Sequence, residues 1–216
     1  MKNSKFRKYR NHEILRILLV FLLSCVITNC STTSGSKKAA VLSAEDYYAS
    51  SQNGLTNGMY DSAYTHYLKA VELKPEMENP GHLNNIILSW AISECPGEDS
   101  TLLSAQKKVW LYPQDIEARK ELMSRAIDAN SNRIHIFGVG RSPTWTVPAI
   151  VKKRAAEKTA FVVATTWVGR LVNWSQNGVE GSFDVNNTLT GVTTLKTSWL
   201  GEKISIMKVE APLPGK

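Results

Sequence analysis

Between Pro148 and Trp174 the sequence PAIVKKRAAEKTAFVVATTWVGRLVNW carries one apolar stripe. Ala149, Ala156, Ala160, Val163, Trp167, Leu171 and Trp174 follow at steps of seven, four and three. Phe161, Val168 and Val172 widen the face. That spacing predicts a helix of about 40 Å, at about 1.5 Å per residue, with Pro148 suited to its first turn. A helix of that length must bury its stripe against something comparably long. The flanking segments supply strands. RIHIFGVG (Arg133 to Gly140) alternates and carries two glycines at its end. VEGSFDV (Val179 to Val185), LTGVTTLKTSWL (Leu189 to Leu200) and ISIMKVEA (Ile204 to Ala211) are rich in Thr, Val and Ile, with a turn at GEK (Gly201 to Lys203). Residues 131–216 are therefore expected to form a small α+β domain, one long helix packed on an antiparallel sheet.

Residues 43–130 have a different texture. Ser43 and Asp46 form a capping box in SAED, opening a helix to about Asn53 that NGLTNG breaks. YDSAYTHYLKAVELKP places Tyr60, Ala63, Tyr67, Ala70 and Val71 on one face. The three segments after it keep the helical period. Gly81 to Glu94 aligns Leu83, Ile86, Ile87, Trp90 and Ala91, and Ser100 to Tyr112 aligns Leu102, Ala105 and Val109. Gln114 to Asn130 aligns Ile116, Leu122, Met123, Ala126 and Ile127, with Arg119, Lys120 and Glu121 expected outward. The boundary with the second domain is expected near DANSNR, Asp128 to Arg133.

Counted back from Pro75, Ala63, Tyr67 and Ala70 fall on the small–aromatic–small positions of a tetratricopeptide repeat, and Tyr47 falls on the aromatic of its first helix. This pair resembles that family, with Ser51 in place of its usual Gly and Gly54 in place of a Tyr. The resemblance implies helical hairpins whose groove receives a protein or peptide, with Tyr47 and Tyr67 as candidate groove residues. The fifth helix is expected to cap the stack or to dock the second domain.

The start of the chain reads as a targeting segment. Lys2, Lys5, Arg7, Lys8, Arg10 and Arg16 precede the apolar run ILLVFLLSCVIT (Ile17 to Thr28). This run is shorter than the ~20 apolar residues of a spanning helix. A short uncleaved anchor is the alternative. ITNC (Ile27 to Cys30) resembles the lipobox of bacterial lipoproteins, with Ile27 for the usual Leu and Asn29 for a smaller residue. LLSC (Leu22 to Cys25) competes with it. The resemblance implies residues 1–29 as a signal peptide and acylation of Cys30. Residues 30–42 are then a Ser/Thr/Gly tether, reaching ~40 Å at about 3.3–3.6 Å per residue. Ser31 after the cysteine implies an outer-membrane location, with the folded part in the periplasm or at the cell surface. The strand ending in GVG, the alanine-rich KKRAAEKTA, the VEG segment and the closing EAPLP together resemble the Lpp-twenty family of envelope lipoproteins. That family implies a lipid-anchored protein without an assigned chemistry.

Removing the leader removes most of the charge. The chain's formal +7 falls to +2 from Cys30 onward, where 20 basic residues face 18 acidic ones. No basic stripe remains that would suit a nucleic acid. GVGRSP lacks the third glycine of a dinucleotide loop, and His66, His82 and His135 fit no metal-ligand spacing. No cofactor or metal is expected. The expected role is non-catalytic, a membrane-anchored protein engaging a protein or peptide partner. The competing reading is a small envelope hydrolase assembled from scattered residues, among them His82, Cys95 or His135 beside a carboxylate.

Overall fold

The computed structural model describes residues 42–183 and 191–214. Cys25, Cys30 and most of the tether lie outside them. The described residues open with five α-helices. They are α1 (Ala44–Thr56), α2 (Tyr60–Leu73), α3 (Pro80–Glu94), α4 (Glu98–Leu111) and α5 (Ile116–Ala126). A two-residue strand β1 (Ile127–Asp128) leads into β2 (Arg133–Arg141). The long helix α6 (Ala149–Asn177) and the hairpin β3 (Thr193–Leu200) and β4 (Ile204–Pro212) complete the α+β fold. The sheet is antiparallel, in the order β1-β2-β4-β3. Among the described residues no helix is long and apolar enough to cross a membrane.

The capping box at Ser43 forms as the sequence requires. The Asp46 amide donates to Ser43 Oγ at 3.1 Å, and the Ser43 amide donates to the Asp46 carboxylate at 2.9 Å. α1 and α2 then pack closely because Gly54 has no side chain. A Cβ there would lie 3.2 Å from Ala63. The residue that departs from the repeat pattern is thus the one that lets the two helices approach.

Alternation along β2 explains both faces of the sheet. Ile134, Ile136, Gly138 and Gly140 turn toward α6, whose Ala156, Ala160 and Ala164 are fully buried. A Cβ at Gly138 would come within 2.6 Å of the Ala164 amide, and one at Gly140 would strike the Ala156 carbonyl. The GVG segment is therefore where helix and strand backbones meet. Of the expected stripe, Ala149 is exposed and Val163 is only half-buried. Ala164, outside the expected face, is fully buried, and Val168 on it is buried as expected.

His135, Phe137 and Val139 occupy the other face, beside Glu210, Lys208 and Ile206 of β4. Beyond β1 the edge of β2 is open, and α4 closes it. The buried Gln106 amide donates to the Phe137 carbonyl at 2.6 Å and accepts from its N–H at 3.3 Å, as a neighbouring strand would. The apolar core runs unbroken from Ala63 of α2 to Ala211 of β4. Residues Leu42–Lys216 form one compact unit. The change of texture near Asp128 thus marks a change of secondary structure inside a shared core.

Three local expectations are corrected. The helix expected to reach Asn130 stops at Ala126, because Ile127 and Asp128 pair with Ile134 and Arg133. Arg119, expected outward, is only 3% exposed. Its guanidinium donates to the carbonyls of Pro113, Val179 and Gly181 at 2.8–3.0 Å and lies 5.0 Å from the Trp174 ring. Those same bonds explain why Val179 to Phe183 is a turn where a strand was expected (Asp184 and Val185 lie outside the described residues). With Arg170 donating to the Phe183 carbonyl and Asn173 to that of Ser182, side chains take the carbonyls a sheet neighbour would use. Phe183 packs edge-on to Trp167, 5.8 Å between centroids.

Candidate functional site

The two candidate groove residues part company. Tyr67 is 1% exposed, and its hydroxyl accepts the Asn79 amide at 2.7 Å at the start of α3. It joins helices and is unavailable to a partner in the packed fold. Tyr47 is half-buried on α1, its ring 5.9 Å from that of His66. It does face solvent. The adjacent Tyr48, not singled out by the sequence pattern, lies 5.1 Å from His82 and 6.2 Å from Tyr67. His82 Nε2 sits 3.1 Å from the buried Ser51 hydroxyl, so the residue replacing the repeat glycine has a polar role. Burial among these rings pushes the His82 pKa down, favouring a neutral imidazole.

The scattered residues of the hydrolase reading remain apart. His82 lies in that aromatic cluster. Cys95 is buried, and burial, reinforced by Asp99, pushes its thiol pKa up, which disfavours the nucleophilic thiolate. His135 alone opens on a polar cleft of about 520 Å³ between the sheet and the helical half. Asp99 of α4, Arg125 of α5, Asp128 and Lys208 line it with His135. Several of these charges already have partners. Lys208 bonds Asp99 at 2.6 Å, and Asp128 accepts from Ser131 Oγ at 2.6 Å and from the Asn130 amide at 2.9 Å. Those bonds, the Ser131 hydroxyl first, hold the Asp128 carboxyl below its usual range. Ser124, the hydroxyl nearest in kind to a nucleophile here, donates to the Glu121 carbonyl. His135 Nε2 faces Glu210 at 3.8 Å, and its buried Nδ1 has no protein partner. The cleft can receive a small polar group, but among the described residues no nucleophile in it is paired with a base. Among the described residues no cluster of three His, Cys, Asp or Glu side chains has metal-binding proximity.

A second cavity of about 360 Å³ lies at the far end of the sheet. Tyr64 and Leu68 of α2, the loop after β2 and the first turn of α6 enclose it, with Lys152, Lys153 and Lys203 among its lining. Spacing along the sequence does not find this assembly, because α2 and the GEK turn reach it from far along the chain. The signal was present in one place, a tryptophan followed within a few residues by IVKKR. Comparison with known protein families, curated proteins and solved structures finds no significant match.

Proposed function

We propose that this chain is a non-catalytic, lipid-anchored protein of the bacterial cell envelope. Its folded part is held at the outer membrane by acylated Cys30 and engages a protein partner, as a scaffold within an envelope complex. One observation carries the reading: the basic leader, the short apolar run and Cys30 are followed at once by a Ser/Thr-rich segment. Its compatibility with the fold lies in the start of α1 at Ala44, so that the acylated cysteine would stand a tether's length from the globule. Two or three acyl chains hold such a protein almost permanently, whereas one binds only marginally.

The partner surface is assigned to the helical half, read as tetratricopeptide-like hairpins. Residues 43–128 hold 13 acidic and 7 basic side chains, a net −6, so a basic segment is the complementary partner. Tyr47 and Tyr48 at the α1 surface are its aromatic contacts, and Tyr67 supports them from behind. Sheet-edge pairing between copies is disfavoured, because the outer strand β3 carries a bulge between Thr194 and Lys196 and an exposed lysine side.

Mass spectrometry of the amino-terminal peptide from native envelopes tests the anchor. A diacylglyceryl-modified Cys30 is expected, and Cys30→Ala should release the protein from the membrane fraction. An unmodified Met1 start on soluble protein overturns the reading, and modification at Cys25 relocates the anchor. Crosslinking tests the partner. Tyr47→Ala should lose products that Lys196→Ala keeps.

The hydrolase alternative has one observation in its favour, the polar cleft around His135. It requires a hydrolytic activity that His135→Ala abolishes while leaving the fold intact.

A further inference from the structure

Three exposed large apolar side chains fall within seven residues. Trp145 is 65% exposed in the loop after β2, and Ile150 and Val151 are 57% and 47% exposed at the start of α6. No packing need explains them, since the buried stripe of α6 begins only at Ala156. Beside them stand Arg141, Lys152, Lys153, Arg154 and Lys158, against the single acid Glu157 between residues 141 and 158. That segment alone carries +4, twice the net charge of the whole chain beyond Cys30. Cations in the opening turns of a helix also stand against its positive dipole end, and α6 has no acidic residue there to offset them. An external anion would relieve both repulsions.

The cavity of about 360 Å³ opens at this same place. Its walls are apolar at Tyr64, Leu68 and Ala149. Lys152, Lys153 and Lys203 also line it against one acid, Glu202, and the Ser142 hydroxyl in its wall is buried without a protein partner. Lys203 is held loosely, 3.8 Å from Asp61, and Lys153 lies 5.5 Å from the Trp199 ring. An exposed indole and two exposed aliphatic side chains, flanking in sequence a cavity lined by three lysines, one glutamate and an unpartnered hydroxyl, match the chemistry of a bilayer surface. The indole and aliphatics suit the headgroup–acyl boundary, and the lysines suit anionic phosphate.

We propose that this face docks on anionic phospholipid. Trp145, Ile150 and Val151 enter the bilayer interface, and a headgroup phosphate sits among Lys152, Lys153, Lys203 and the Ser142 hydroxyl. In the cell the contact rests on the anchor proposed above. A tether of ~40 Å keeps the face close to a bilayer, so even weak intrinsic affinity is enough to hold it there. The two contacts together would lay the folded body on the membrane with the acidic helical half available to a partner.

The test uses the chain from Ser31 to Lys216 made without lipid, which retains the whole compact unit from Leu42 onward. It is sedimented with vesicles of phosphatidylcholine alone, and with vesicles containing one-third phosphatidylglycerol. Binding is expected only to the anionic vesicles and should fall steeply with salt. Lys152→Gln with Lys153→Gln should weaken it about tenfold or more, at roughly fivefold per lysine. Trp145→Phe should remove the share of tryptophan quenching caused by brominated lipid, and Trp145→Ser should weaken binding further. Lys69→Gln with Lys120→Gln, on the helical half, should change nothing. Failure to bind anionic vesicles overturns the proposal and leaves the face to an acidic protein. Binding unaffected by the Lys152, Lys153 and Trp145 variants, or equal on neutral vesicles, overturns it as well. Because this chain carries no acyl group, its behaviour is read separately from the modification of Cys30.

Discussion

The helical half and the sheet-bearing half of this molecule differ in the sign of their charge and in how closely their backbones approach. Residues 43–128 carry a net −6, and residues 129–216 carry +6, from 11 basic and 5 acidic side chains. Asp99–Lys208 and Asp61–Lys203 bridge the two. Among the glycines of the helical half, Gly54 lies closest to a neighbour, Ala63, where a methyl group would need a shift of a few tenths of an ångström. In the other half Gly138 and Gly140 lie against the backbone of α6, where a methyl group has no room at all. The difference teaches that both contacts involve main chain but differ in slack: at Ala63 a few tenths of an ångström suffice. At the α6–β2 contact the two backbones already touch and leave no room to adjust.

The sharpest way to break that comparison is to add the same methyl group on each side. Gly138→Ala should cost about 3 kcal/mol or more, or prevent folding, since the α6 backbone must retreat. Gly54→Ala should cost about 1 kcal/mol or less, because the helix propensity of Ala offsets part of the crowding. Urea denaturation measures both, and equal losses would contradict the distinction.

A somewhat smaller effect is expected at the joint between the halves. Gln106→Leu leaves the Phe137 N–H and carbonyl unpaired in the core, which should cost about 2–3 kcal/mol. Arg119→Met strips the Pro113, Val179 and Gly181 carbonyls of their donor and should cost a similar amount. If the halves share one core, each variant melts in a single transition at lower temperature. Two separate transitions would show that the halves fold as independent domains.

The smallest effect concerns pH. Burial depresses the His82 pKa below its unfolded value, so the unfolded chain binds the extra proton first as pH falls. The stability associated with neutral His82 is fully present above the unfolded pKa of about 6.5, and is lost as pH falls through the folded value. Thermal melts should therefore drop by a few degrees between neutral pH and mild acid. His82→Gln should flatten that slope, and an unchanged slope would assign it to other groups.

Local periodicity and caps were determined by the sequence unaided. The Ser43 capping box, the stripes of α2 to α4, the long α6 and the hairpin of β3 and β4 follow from spacing and side-chain type, which act over a few residues. Of the candidate site residues, Tyr47 and Tyr67 were legible alike as aromatics of a helix pair, and spacing did not separate the half-buried Tyr47 from the buried Tyr67. Its role in joining α2 to α3 depends on a backbone amide twelve residues away. The tertiary structure alone decided that Arg119 turns inward, that Val179 to Phe183 is held by side chains in place of a strand neighbour, and that Tyr64, Leu68 and Lys203 come to one cavity with the start of α6. Each joins residues far apart in the chain, and no local pattern records which distant carbonyl or charge will arrive there.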